Sequence, residues 1–172
     1  MNRLCLMRHA KAAPQEAEAE DRARPLAPRG EKAARAVARW MVAQGIVPDA
    51  ALCSSALRTR QTLAAMLPVL GGRPRVSYED GLYLAEPRAL LARLRKLAAD
   101  QTTVLVVGHN PGLQELAVGL AGAGRLGKRL RENLPTAALA CFELDGDWAE
   151  LGRADATLAL YVTPKDLVRD AE

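Results

Sequence analysis

Aromatic residues are scarce: 3 % of the 172 residues, with one phenylalanine, two tryptophans and three tyrosines. The core therefore rests on Leu, Val and Ala. Lys and Arg number 24 against 20 Asp and Glu, a net charge of +4, but no stretch is purely basic. Without clustered cations or interleaved aromatics, a nucleic-acid partner is not expected. The cysteines are Cys5, Cys53 and Cys141, each inside or ending an apolar run and none in a Cys-x-x-Cys pair. They read as small buried hydrophobes rather than disulfides or metal ligands. Two histidines without a Cys pair leave too few ligands for structural zinc. No P-loop and no acidic metal cluster is visible, so neither a metal nor an organic cofactor is implied. No apolar stretch spans a membrane. The N-terminal run is too short for a signal peptide and is broken by Arg8. A cytoplasmic location with no membrane partner is the expectation.

Hydrophobic residues make up 49 % and charged residues 26 %, as in an ordinary globular protein. The length suits a single domain over residues 1–172. Leu4 to Met7 and Thr103 to Val107 are short continuous apolar runs, the pattern of strands buried on both faces. Asp49 to Cys53 reads as another short strand, Arg75 to Tyr78 as a minor one, and Leu139–Leu144 and Thr157–Val162 as late strands. Between them lie helical patterns. The segment Pro25 to Gly30 leads into one that runs to about Gln44, with Ala33, Val37, Trp40 and Met41 facing the core and Gly45 as its stop. Another runs to about Leu67, capped by Ser54 or Ser55. A third opens at Glu86-Pro87. A fourth follows Asn110-Pro111 as cap and first residue, and Lys128 to Asn133 reads as a short basic helix or loop. Gly122 to Gly127 matches GxGxxG but follows a helix rather than a strand, so it lacks the dinucleotide context. Pro14 to Arg24, rich in Glu, reads as a solvated loop bordering whatever lies beside His9. Strands alternating with helices imply a three-layer α/β/α sandwich with a mostly parallel central sheet.

The chemistry collects where such strands end. Arg8 and His9 follow the first strand, Arg58 stands near the end of the second, and His109 follows the third. Guanidinium forks bind phosphate oxygens bidentately. Helix N-termini after Ser55 and Asn110 add backbone donors. An imidazole can attack phosphorus and form a covalent intermediate. These residues form a plausible socket for a phosphoryl group, in which arginine and histidine take the charge-neutralising part that magnesium plays elsewhere.

Arg8-His9-Ala10, the run Ser54 to Thr62, and Gly108-His109-Asn110-Pro111, in that order, resemble the histidine phosphatase superfamily, also called phosphoglycerate mutase-like. Arg24-Pro25-Leu26, Leu82-Tyr83, Leu134-Pro135-Thr136-Ala137 and Pro164-Lys165 agree. The compact SixA-type phosphohistidine phosphatases are the most similar branch. The resemblance implies that His9 is the nucleophile, that Arg8 and Arg58 hold phosphate oxygens, and that His109 stabilises the transferring group. Lys11, Ser55 and Asn110 are further candidates for substrate binding. Ala10 stands where the family motif usually has glycine.

Larger members of the superfamily carry an acid that protonates the leaving oxygen. No residue here matches it cleanly; Glu79, Asp80 and Glu86 lie in a suitable region. An imidazole leaving group, with a conjugate acid near pKa ~6.5, needs far less protonation than an alkoxide. The implied activity is therefore removal of phosphate from a histidine of a partner protein, such as a phosphotransfer or carrier domain, with phosphate as product. A phosphatase of a small phosphomonoester, or a non-catalytic phosphate-binding module, is the alternative.

Overall fold

The computed structural model describes residues 1–171. In chain order the strands are β1 (Asn2–Arg8), β2 (Ala50–Ser54), β3 (Arg75–Glu79), β4 (Thr103–Gly108), β5 (Leu139–Leu144) and β6 (Ala156–Val162). The helices are α1 (Pro28–Ala43), α2 (Leu57–Leu70), α3 (Pro87–Leu94), α4 (Gly112–Ala121), α5 (Arg125–Glu132) and α6 (Pro164–Ala171). All six strands join one sheet in the order β3-β2-β4-β1-β5-β6. β3, β2, β4 and β1 are parallel to one another, and β5 runs against both β1 and β6. The sheet is mostly parallel, as the uninterrupted apolar runs imply.

Alternation along each strand divides the core in two. Leu4, Leu6, Leu52, Val104, Val106 and Phe142 pack under α3, α4 and α5. Cys5, Met7, Ala51, Cys53, Leu105 and Val107 pack under α1 and α2, with Leu167 of α6 alongside. Helices on both faces make the three layers. All three cysteines are buried and unpaired. Among the described residues no helix is long and apolar enough to cross a membrane.

Two helix starts differ from the sequence reading. α2 begins at Leu57 with Ala56 as its cap residue, and neither serine caps it through a side-chain bond to the helix. α4 begins at Gly112 after a cis Asn110-Pro111 bond, and Asn110 is not its cap. In both places a polar side chain is used by a distant partner instead. Trp40 differs too: it is only partly buried on α1, whereas Trp148, in the turn before β6, is 2 % exposed.

The first turn of α1 sits directly on the chain that leaves β1. The Ala27 N–H donates to the Lys11 carbonyl at 2.9 Å. A Cβ on Gly30 would lie 2.2 Å from that same oxygen. Backbone cannot yield there as a flexible side chain can, so Gly30→Ala should destabilise the protein by about 2–4 kcal/mol. A urea midpoint equal to that of the wild type would show that α1 does not need this close approach.

Candidate active site

β1 and β4 are neighbours, and their exits diverge: the chain after β1 leads to α1 on one face, the chain after β4 to α4 on the other. Such a switch point opens a crevice beyond the strand ends. The parallel register pairs Arg8 with Gly108, and the His9 N–H donates to the Gly108 carbonyl at 3.0 Å. His9 and His109 therefore leave adjacent strands side by side. Their ring centroids are 5.4 Å apart, with 57° between the planes. Arg58, second residue of α2 and 3 % exposed, completes the cluster.

The partners fix each tautomer. His9 Nδ1 lies 2.8 Å from the Ala10 carbonyl. A carbonyl only accepts, so Nδ1 carries the proton and Nε2 keeps its lone pair. Arg58 Nη2 lies 3.3 Å from His109 Nδ1. A guanidinium only donates, so that nitrogen accepts and His109 Nε2–H donates to Ser54 Oγ at 2.7 Å. Thr62 locks the two halves together: its hydroxyl accepts from the Ala10 N–H at 3.0 Å and donates to the Arg58 carbonyl at 2.7 Å.

Burial, and after it the charges of Arg58 and Arg8, pushes the His9 pKa down to about 4, despite the bond to Ala10. Burial, then Arg58 and His9, pushes His109 down to about 3. Both rings are neutral at pH 7. The consequence for stability has a definite sign. The unfolded chain takes up protons below its ordinary histidine pKa of 6.5, while the folded protein does not until about 4 or 3. Stability should therefore fall as pH drops from 6.5 toward 4, by roughly 2–4 kcal/mol between pH 7 and pH 5. Urea midpoints at those two pH values test this, and replacing both histidines by alanine should flatten the difference.

The arginines are held but not saturated. Arg8 Nη1 donates to the Leu134 carbonyl at 3.1 Å. Arg8 Nε and Arg58 Nε are buried without a partner. Burial, and then the like charge of Arg58, lowers the Arg8 pKa. Unpaired buried donors on two adjacent cations are costly unless an anion meets them.

Asp21 was not legible as a site residue. It lies in the stretch read as solvated loop, where one short turn, Asp21–Ala23, brings it against the crevice. Its carboxylate accepts from Arg58 Nη2 at 2.9 Å, and its carbonyl accepts from Nη1 at 2.7 Å. The Tyr83 hydroxyl donates to the same carboxylate, and the Tyr83 ring meets His109 edge-on at 5.4 Å. The Tyr83 bond, outweighing partial burial and reinforced by Arg58, holds Asp21 down at about 2. It is a permanent anion that orients Arg58. Its neighbours Glu16, Glu18 and Glu20 look the same in sequence, so the only hint was that the whole loop starts beside His9.

The other expected site residues fall into three groups. Asn110 borders the cluster: its Nδ2 donates to the Leu134 carbonyl at 2.9 Å, the same oxygen that Arg8 uses, and its Oδ1 is buried and unpaired. Ser55 stands at the rim, where its hydroxyl accepts from Arg22. Lys11 is exposed and lines a cleft beside α1. Of the candidate acids, Glu79 is gripped by Arg93 at 2.7 and 2.9 Å and by Ser77 at 2.7 Å. Those bonds outweigh its burial and keep its pKa below the usual range. Asp80 pairs with Arg22 at 2.5 Å, and the bonds from Ser55 and Arg22 lower its pKa. Glu86 is exposed and precedes α3 without a side-chain bond to it.

The family model described as Histidine phosphatase superfamily (branch 1) matches residues 4–83. A candidate phosphohistidine phosphatase SixA from Nakamurella multipartitia is 36 % identical, covering 95 % of this chain and 96 % of its own, with a TM-score of 0.84. A protein histidine phosphatase SixA, solved with tungstate, is 26 % identical over 96 % of this chain and 99 % of its own, with a TM-score of 0.80. An uncharacterized protein of Mycobacterium tuberculosis is 36 % identical over 92 % of this chain and all of its own length. The chain belongs to the histidine phosphatase superfamily, and with it comes the phosphoglycerate mutase-like fold just described. Within that superfamily it is a phosphatase of the SixA-type branch.

Proposed function

We propose that the protein removes phosphate from a phosphohistidine of a partner protein through a phosphorylated His9. The carrying observation is the neutral His9 ring, with its proton held on Nδ1 by Ala10 and its free Nε2 beside two guanidiniums that each keep a buried, unpaired Nε–H. A SixA relative is described as complexed with tungstate, a tetrahedral oxyanion like phosphate, which supports an oxyanion as the ligand of this chain.

In the first step Nε2 of His9 attacks phosphorus and the P–N bond to the substrate breaks. The leaving imidazole keeps that electron pair. With a proton already on its second nitrogen it departs neutral, so no residue has to supply one. Arg8 and Arg58 take the equatorial oxygens, and His109 faces the same group from β4. In the second step water attacks the phosphoryl group on His9, the new P–N bond breaks, and inorganic phosphate leaves. Glu79, held ionised by Arg93 and Ser77, and Asp80, held ionised by Ser55 and Arg22, are poorly suited to protonate an alkoxide, which favours phosphohistidine over phosphomonoesters.

The test compares kcat/KM for phosphate release from a histidine-phosphorylated phosphotransfer domain and from a panel of phosphomonoesters. Preference for the phosphoprotein, with an acid-labile phosphate trapped on His9, is expected. Preference for one monoester would overturn the reading and point to a proton donor not yet assigned.

A further inference from the structure

A second concave surface adjoins the crevice and takes no part in the chemistry above. It is a cleft of about 1270 Å³ between α1, α6 and the end of α5. That exceeds the ~300–1,000 Å³ of a typical small-molecule pocket. Two chain segments are shared with the crevice. Lys11, two residues after His9, lies on its wall, and so do Pro135, Thr136 and Ala137. The Ala137 N–H donates to the His9 carbonyl at 3.0 Å, and Leu134 just before them holds Arg8. The cleft thus begins where the crevice ends.

Its charge is one-sided. Lys11, Arg29, Lys32, Arg39, Arg129 and Lys165 line it, against Glu132 as the one carboxylate of the lining among the described residues. Arg129 is already engaged, paired with Asp166 at 2.9 Å and stacked over Tyr161 at 4.8 Å. The other five cations make no ion pair among the described residues. Lys32 and Arg39 are seven positions apart on α1, so both project from one helical stripe. The lining also includes apolar side chains, Trp40, Leu167 and the exposed Val168.

We infer that this cleft docks an acidic face of the protein that carries the phosphohistidine. The inference rests on the function proposed above. His9 is 9 % exposed at the bottom of its crevice. A folded substrate must therefore lie flush against the rim to deliver its phosphoryl group. A specific protein contact covers about 800 Å² on each side, more than a crevice for one phosphoryl group offers. The neighbouring surface has to supply the rest. Here it supplies cations without ion-pair partners among the described residues together with apolar surface from Trp40, Leu167 and Val168, the mixture that protein contacts use. Cations there also steer an acidic partner toward the site. An acidic protein face is the occupant that the proposed reaction requires, because the phosphoryl group arrives on a protein; Tyr161, 8 % exposed and covered by Arg129, is closed to a stacking base, so Trp40 is the one aromatic of the lining with open surface.

The test is the double substitution Lys32→Glu and Arg39→Glu, both on exposed positions outside the catalytic cluster. One substrate is an acidic helical phosphotransfer domain phosphorylated on histidine; the other is free phosphohistidine. KM for the phosphoprotein should rise about tenfold or more, with kcat changed less than about twofold. kcat/KM for free phosphohistidine should stay at the wild-type value, which also shows that the variant is folded. Added salt should weaken the wild-type enzyme on the phosphoprotein and have little further effect on the variant. An unchanged KM for the phosphoprotein would overturn the docking site and leave the proposed function standing. An equal loss on both substrates would overturn it as well. A wild-type enzyme inactive on the phosphoprotein but active on monoesters would remove the functional reading and the docking site together. A single-stranded oligonucleotide that binds the cleft more tightly than the phosphoprotein would assign the charge to nucleic acid and overturn the proposal.

Discussion

His9→Ala should lower kcat/KM by at least about 10⁴-fold while leaving the fold intact. The residue sits at the end of β1, and its backbone N–H bond to Gly108 does not depend on its side chain. What disappears is Nε2, the imidazole nitrogen that the Nδ1 bond to Ala10 leaves with a free lone pair. His109 cannot replace it: its Nδ1 accepts from Arg58 and its Nε2–H is committed to Ser54. The trapped, acid-labile phosphate should vanish with the imidazole. Stability at pH 7 should change little, and the loss of stability between pH 7 and pH 5 should become smaller, because a ring held neutral by burial has been removed. Turnover within tenfold of the wild type, or undiminished phosphate capture, would remove His9 from the reaction.

Arg58→Ala should lower kcat/KM by about 10³-fold, in the range for arginines that neutralise a transferring phosphoryl group. Arg58 does more than contribute charge. It ties α2 to Asp21 through two bonds and sets the His109 tautomer through a third. Its removal releases the Asp21 carboxylate, which stands at the crevice and would then repel the phosphoryl group. Arg58→Lys should recover little of the loss, because an ammonium cannot reproduce a fork that reaches Asp21 and His109 at once. A lysine variant with near-wild-type kcat/KM would mean that charge alone matters there. Phosphate release from the phosphoprotein, measured alongside a urea midpoint, separates lost chemistry from lost structure.

The strand positions and most helix positions were legible because burial leaves a period in the sequence. Leu4 to Met7 and Thr103 to Val107 are buried on both faces and so appear as unbroken apolar runs. Arg8-His9 and His109 stood out because each follows such a run, and the parallel pairing of β1 with β4 then set them side by side. Cap residues were less legible. Ser54 and Asn110 have the chemistry of helix caps, yet their side chains serve His109 and Leu134. A local propensity was overridden by a partner 55 residues away in one case and 24 in the other.

The sequence by itself determined the alternation of strands and helices, the residues at the strand ends, and the family they mark. Only the tertiary structure decided how those residues are poised. Asp21 meets Arg58 across 37 positions and Tyr83 across 62, and a carboxylate in a run of carboxylates carries no signal of either contact. The same holds for the basic cleft. Lys11, α1 and α6 lie far apart along the chain, and their cations form a surface only because the sheet brings the start of α6 beside α1. Periodicity records which face of an element is buried; it does not record which distant side chain an exposed or polar group will meet.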